Sequence, residues 1–303
     1  KRQAFYSGHN FLACKFPEAA QEVFAARGFT MMPLTAAPSM RSEPVDGGVR
    51  VSGRSSWGSG VMHADWAAFV ALGSGGDVSM VVVPADEITV DDVWHMSGMA
   101  GTGSNDVVVD DVFVPAHRVF DFLEFAEGDT EGARIHGERW YRMTMMPFLH
   151  CEAVPVFVGG LRGAVDAFEA MVRGRVTTHA GAVVAEDPHA HLLLGEALTA
   201  ASVAERLMAD QLAQTLAIAN AGPCSVDDRV ALKGQAAFIV DHCRRTVNEL
   251  VNNAGTTNFA TDAPLQRFWR DVNMLSTHAF WSWATTREQR GRHALGLDLT
   301  SPL

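Results

Sequence analysis

The spacing of apolar residues changes partway along the chain. Between about residues 29 and 122 they come in short runs: Val49-Arg50-Val51-Ser52, Trp66 to Leu72, Ser79 to Val83, Asp106 to Val109 and Val112 to Pro115. Glycine pairs at Gly47-Gly48 and Gly75-Gly76 punctuate these runs as turns. Short β-rich segments with such punctuation predict a sandwich or barrel. From about residue 134 the spacing lengthens. Leu194, Leu198, Ala201, Ala204, Leu207, Met208, Leu212 and Leu216 recur at intervals of three and four, which is one stripe of a helix over Leu192–Ala219. Further helices are predicted over Val226–Asn252, from Pro264 past Trp283, and over Gly160–Arg173, with Gly222-Pro223 and Ala254-Gly255 as breaks. Together they read as a four-helix bundle. Residues 1 to 27 read as one or two helices, with Pro17 at a helix start.

The expected class is therefore α+β, in three parts: the end of a helical domain at 1–28, a central β-domain at 29–125 and a helical bundle at 126–303. A chain of 303 residues, 48% hydrophobic and 19% charged, has the composition of a globular protein with a large core. Its net charge of -11 and lack of any basic run argue against nucleic acid as a partner. No apolar run reaches the roughly 18 residues needed to span a bilayer, and the N-terminus does not read as a secretory signal. The expectation is a cytoplasmic protein with no membrane partner. Cys14, Cys151, Cys224 and Cys243 are far apart, without C-x-x-C spacing, and read as free thiols.

Several candidate sites weaken on inspection. The run Gly98-Met99-Ala100-Gly101-Thr102-Gly103-Ser104-Asn105-Asp106 lacks the lysine of a phosphate loop and leads into strands, so its glycines read as a tight turn near a ligand. No dinucleotide fingerprint follows a strand, which argues against a built-in reductase. His189 and His191 beside Asp187 are spaced by two on a helix and do not converge on one ion, so no metal site is expected. The Met143, Met145, Met146 cluster reads as core or as the wall of an apolar cavity.

Two strings carry a family likeness. Gly101-Thr102-Gly103-Ser104-Asn105-Asp106-Val107, together with Arg267-Phe268-Trp269-Arg270-Asp271 leading to His278, resembles the acyl-CoA dehydrogenase fold. Within that fold the chain is similar to the flavin-dependent monooxygenases of two-component systems, which act on phenols or on amino groups of sugars. In the dehydrogenases a glutamate often follows the Arg-Asp pair. Here that slot falls at Ala279, and no carboxylate lies between Asp271 and Glu288. His278 has instead a pKa range suited to orienting or deprotonating a phenol.

The resemblance implies further roles. His9, in the string His9 to Gln21, would line the substrate cavity with His278. Ser59, in Ser52 to Trp66, would meet the flavin ring and stabilise a C4a-hydroperoxide. Thr35, Ser39 and Trp57 would contact the flavin, and Arg173, with Arg175 beside it, its phosphate across a subunit interface. It also implies reduced flavin (FMNH2 or FADH2) and O2 as cofactors, a separate flavin reductase, a small organic substrate and a homotetramer. The alternatives are a flavin desaturase of the acyl-CoA dehydrogenase type with a relocated base, and a non-catalytic assembly subunit.

Overall fold

The computed structural model describes residues 11–26, 28, 30–176, 181, 183–301 and 303. The described residues form two compact units, one made of residues up to Met96, Ala100–Leu149 and Ala217–Cys224, the other of Ser97–Met99, His150–Leu216 and Ser225–Leu303.

The first unit is built on one mixed sheet of seven strands: β1 (Leu34–Val45), β2 (Gly48–Gly58), β3 (Trp66–Gly73), β4 (Val78–Pro84), β5 (Thr89–Asp91), β6 (Asn105–Pro115) and β7 (Val119–Asp121). Their order is β5-β6-β2-β1-β3-β4-β7. The β1–β3 pair is parallel and the other pairs are antiparallel. A two-residue Asp46-Gly47 turn joins β1 to β2. Strand β3 is buried from Trp66 to Ala71, which is why it reads as an unbroken apolar run and not as an alternation. One core cluster gathers Met40, Val51, Phe69, Val81, Val83, Val107 and Val109.

Helix α1 (Glu18–Ala25) starts directly after Pro17. In the segment before it, Phe16 stacks on Phe120 at 4.4 Å and on Phe125 at 5.5 Å. Lys15 is fully buried and its Nζ donates to the carbonyl of Met143. Two short helices follow the sheet, α2 (Phe122–Glu127) and α3 (Glu131–Ile135). Asp121 and Thr130 cap them by accepting from the backbone N–H of Glu124 and Ala133.

The long helices are α4 (Met145–Gly174), α5 (Pro188–Ala221), α6 (Val226–Asn253), α7 (Pro264–Ser276) and α8 (Trp283–Ala294). In the second unit a single core takes Phe157, Leu161, Val165 and Phe168 from α4, Ala197, Ala201 and Ala204 from α5, Ile239, Val247 and Leu250 from α6, and Leu265 and Val272 from α7. A full capping box, in which Ser225 and Asp228 exchange side-chain and backbone bonds, fixes the start of α6.

One expectation needs correction. The helix read as continuous from Pro264 past Trp283 stops at Ser276, and α8 begins at Trp283 after a short 3-10 turn. Ser276 and Thr277 donate their hydroxyls to the carbonyls of Asn273 and Met274, which supports a helix end there. Helix α4 is long and apolar enough, by length and composition, to cross a membrane. Its apolar face instead supplies the second unit's core.

Candidate active site

In the first unit, irregular strand pairing holds the candidate hydroxyls. The β1–β3 register shifts between Thr35 and Pro38 and again between Pro38 and Met40. Proline has no N–H to give a ladder, so a strand containing it is apt to break register. Ser39 follows, with a buried Oγ that has no hydrogen-bond partner among the described residues. Thr35 pairs with Phe69 just ahead of the irregularity. Across the hairpin Gly53 has φ +154°, and a Cβ there would lie 2.6 Å from the Ser39 carbonyl oxygen. A side chain at position 53 would therefore push β2 away from Ser39.

A second irregularity lies between β2 and β6, from Ser55 to Gly58. Inside it Trp57 has φ 67° and is 67% exposed. A bulky residue in the left-handed region is strained, and an exposed indole forgoes burial, so the position is costly on both counts. The Ser55 Oγ is buried and, like that of Ser39, has no partner among the described residues.

Beyond this bulge, Ser59 Oγ lies 2.9 Å from Ser104 Oγ, which lies 2.7 Å from Thr102 Oγ1. The backbone N–H of Gly60 donates to the Thr102 carbonyl at 2.8 Å, tying the two segments together. The serine-rich and glycine-rich strings thus meet in a chain of three hydroxyls. Each hydroxyl can donate or accept, so Ser59 can donate outward while Ser104 donates to it, or take the reverse sense.

In the second unit, His278 is the N-cap of the 3-10 turn Ala279–Trp281. Its Nδ1 accepts from the Phe280 N–H at 3.3 Å, and its ring meets Phe280 edge-on at 4.5 Å. With Nδ1 accepting, the neutral ring carries its proton on Nε2. Desolvation lowers the His278 pKa from the usual histidine value. In this tautomer Nε2 is a hydrogen-bond donor. Acting as a base requires His278 to give up the Phe280 contact.

The Arg-Asp pair anchors part of the glycine-rich string. Asp271 Oδ1 accepts from the backbone N–H of Met99 at 2.6 Å. A Cβ on Gly98 would lie 2.3 Å from the Arg270 carbonyl oxygen, so this glycine permits a close backbone approach within the protein. For Gly98, then, the close neighbour is the protein's own backbone, whereas a Cβ on Gly101 or Gly103 would meet nothing within 4 Å.

Arg173 is largely exposed and pairs with Glu169 on its own helix at 2.6 Å. Arg175 is the better-fixed residue of the two. It donates to the Ala254 carbonyl at 2.5 Å, and its guanidinium lies against Gly255, where a Cβ would fall 2.8 Å from it. His9 lies outside the described residues.

The histidines at 189 and 191 bond to Asn253 Oδ1 and to the Ala185 carbonyl. Among the described residues no group of three or more His, Cys, Asp or Glu could hold a metal. Met143 and Met145 are buried as core. The four cysteines are free, two of them buried and two partly so.

Two features escaped the sequence reading. His150 on α4 is 1% exposed, and neither ring nitrogen has a partner among the described residues. Burial, with a smaller contribution from the charge of Lys233, pushes its pKa down to about 3. Its ring packs 5.5 Å from Trp281, which also meets Phe157 two turns along the same face of α4. A lone histidine in an apolar stripe gives no warning of this. The second feature is a cavity of about 480 Å³ whose lining includes Asp241, Arg244, Arg245, Ser276, Trp281, Trp283 and Arg287. It arises because α6 and the turn leading into α8 converge, which no local pattern announces.

The residues present fit a flavin. Two buried hydroxyls without partners, an exposed strained indole and a reversible hydroxyl chain are suited to a polar, flat, hydrogen-bonding ring system. A family model for the acyl-CoA dehydrogenase C-terminal domain matches residues 152–283. The chain is 38% identical over 305 residues to a pigment production hydroxylase of Rhodococcus sp. (strain ATCC 21145), covering 99% of this chain and 79% of that protein. It is 32% identical to the oxygenase component of an FADH(2)-dependent resorcinol hydroxylase of Rhizobium sp. (strain MTP-10005), covering 96% of this chain and 75% of that one. Among solved structures, 3-HSA hydroxylase from Rhodococcus sp. RHA1 matches with a TM-score of 0.90 and 29% identity, over 98% of this chain and 78% of that one.

The chain belongs to the flavin-dependent monooxygenases of the acyl-CoA dehydrogenase fold, the oxygenase components of two-component systems. It is an enzyme of that kind, and the desaturase alternative gives way to this reading. Its cofactor is reduced flavin, and a separate flavin reductase is its implied partner.

Proposed function

We propose that this enzyme hydroxylates a small phenolic compound, using reduced FMN or FAD supplied by its reductase. The bound flavin supplies two electrons, so that one atom of O2 enters the substrate and the other leaves as water. Ser59 donates a hydrogen bond toward the flavin ring, with Ser104 and Thr102 holding its orientation. Ser39, Thr35 and Trp57 complete the ring's surroundings, and Arg173 is the residue proposed for its phosphate. His278 donates from Nε2 to the phenolic oxygen and orients the ring for attack, and His9 lines the same substrate site. The proposal includes a homotetramer in the cytoplasm, with the long helices of the second unit arranged as a four-helix bundle and the sheet closing toward a barrel.

The observation that carries this reading is the Ser59–Ser104–Thr102 hydroxyl chain, which joins two separate sequence strings and can reverse its donor direction. The test is to mix the protein with reduced flavin, oxygen and a panel of phenols, and to quantify hydroxylated product and hydrogen peroxide. Product formed with at least one phenol, with peroxide falling in proportion, is the expected result. Flavin oxidation at its rate in free solution, with no product from any phenol, would overturn the proposal.

A further inference from the structure

The protein carries a net charge of -11, yet the cavity of about 480 Å³ in its second unit has the opposite sign. Three arginines, Arg244, Arg245 and Arg287, line it against one carboxylate, Asp241. Asp241 serves Arg244 at 2.7 Å and Arg245 at 2.9 Å, so one acid is shared between two guanidinium groups. Arg287 has no ion pair among the described residues and stands exposed. Two positive charges are therefore left over in a concave site, where field lines concentrate and like-sign repulsion must be met by an anion or by solvent counterions.

Helix geometry explains the clustering. Residues 241, 244 and 245 share one face of α6, and Arg287 lies one turn into α8. The first turn of α8 also begins here: Ser282 caps it by accepting from the Thr285 N–H, and Trp283 and Ala284 line the cavity with it. Orphan N–H groups at a helix start add to the positive potential that the arginines supply. Two indoles give the site flat walls, Trp281 being 6% exposed. A planar guanidinium matches carboxylate or phosphate with two parallel hydrogen bonds, and indole faces favour a planar ring. Volume, charge and wall shape agree on one ligand chemistry.

We infer that this cavity is an anion site for a planar ligand carrying a carboxylate or a phosphate. Ser276 and Trp281, which help line it, lie two residues before and three after His278. The inference rests on the proposed function only for which molecule brings the anion: an acidic phenol as substrate, or the phosphate of the flavin. The binding itself does not depend on turnover.

The experiment is a titration of the intact, flavin-free protein and of the Arg287→Ala, Arg245→Ala and Arg287→Lys variants. The probes are benzoate and phenol in one arm, and FMN, riboflavin and inorganic phosphate in the other. If the substrate supplies the anion, benzoate binds at least tenfold tighter than phenol and Arg287→Ala removes the difference. If the flavin does, FMN is preferred over riboflavin by a similar factor, inorganic phosphate competes, and the preference is lost in the same variant. In either case Arg287→Lys retains part of the preference, and the preference weakens as salt is raised from 50 to 500 mM, because the residues are partly exposed. Benzoate binding no tighter than phenol together with FMN binding no tighter than riboflavin, or preferences that survive both alanine substitutions, would overturn the inference. The proposed hydroxylation is judged separately, by product from phenols in wild-type turnover, so failure of either can be told from failure of the other.

Discussion

The sheet unit and the helical unit prepare their chemistry by different means. In the sheet unit, irregularity of the backbone does the placing. Two register shifts free Ser39, and a third leaves Trp57 at φ 67° beside a hydroxyl chain. In the helical unit the backbone is regular, and helix ends do the placing. His278 sits where α7 has stopped, and Arg287 sits one turn into α8. The sheet unit thus offers fixed, neutral hydrogen-bonding groups, costly to arrange and hard to move. The helical unit offers groups that change charge or carry it.

The difference makes the expected effects of substitution unequal. The largest belongs to His278→Ala, which should slow oxygen transfer to a phenol by about two to four orders of magnitude, the usual range for losing a positioned proton-bearing group. Flavin affinity should hold within about threefold, as checked by titration. His278→Gln keeps a donor and should recover part of the loss if orientation dominates, and almost none if the histidine acts as a base.

Next comes Gly53→Val. Its side chain would meet the Ser39 carbonyl and the Met40 sulfur at 2.9 Å or closer, so β1 and β2 must separate. A loss of about 3 kcal/mol in urea unfolding is expected, with flavin binding weakened in the same variant. An unchanged urea midpoint would mean that the hairpin tolerates the separation, and that its irregularity is not what places Ser39.

His150→Phe should have a smaller effect, and one of opposite sign. The buried imidazole has a folded-state pKa of about 3, below its unfolded value near 6.5. As pH falls from about 6.5 toward 3 the unfolded chain takes up the proton first, so this group makes stability decline across that window. Above it the ring is neutral in both states and contributes no slope. The phenylalanine variant should lose that part of the acid decline. At pH 7 it should be more stable by about 1 kcal/mol, because an unpaired buried polar group is removed. Melting curves from pH 4 to 8 test both statements. A marked loss of stability at pH 7 would show that the nitrogens have partners the protein relies on.

The smallest expected effect separates two neighbouring arginines. Arg173→Ala removes an exposed pair within one helix turn and should cost at most about 0.5 kcal/mol. Arg175→Ala should cost more, because the loop at Ala254-Gly255 loses the group that fills it. Thermal melts of the two variants side by side would settle which of them is structural.

How much of this was legible in the sequence depended on the range of the signal. The helix cores announced themselves through three- and four-residue spacing, and β3 through its unbroken apolar run. Where α7 ends was not legible, because Phe280, Trp281 and Trp283 continue the apolar pattern while the hydroxyls of Ser276 and Thr277 turn back on the preceding carbonyls. Strand β1 runs through Pro38 and Ser39, a stretch outside the apolar runs of the sequence, with register shifts against β3 taking up the irregularity. Ser59 and His278 were singled out by family likeness, and their partners, Ser104 and Phe280, became known only once the segments were folded. The arginine cavity had no local signature at all, since its parts lie some 40 residues apart on two helices.

The central claim is that Ser59 protects the flavin while His278 orients the substrate. It is tested most directly by single-turnover oxidation of bound reduced flavin in wild type, Ser59→Ala and His278→Ala, each with and without a phenol, counting product and peroxide per flavin oxidised. Without substrate, His278→Ala should oxidise flavin at the wild-type rate, and Ser59→Ala about tenfold faster or more, releasing peroxide. With substrate, both variants should lose product, His278→Ala because transfer is slow and Ser59→Ala because peroxide departs first. If Ser59→Ala instead matched wild type without substrate, or if both variants failed identically in every arm, the division of labour between the two units would be contradicted.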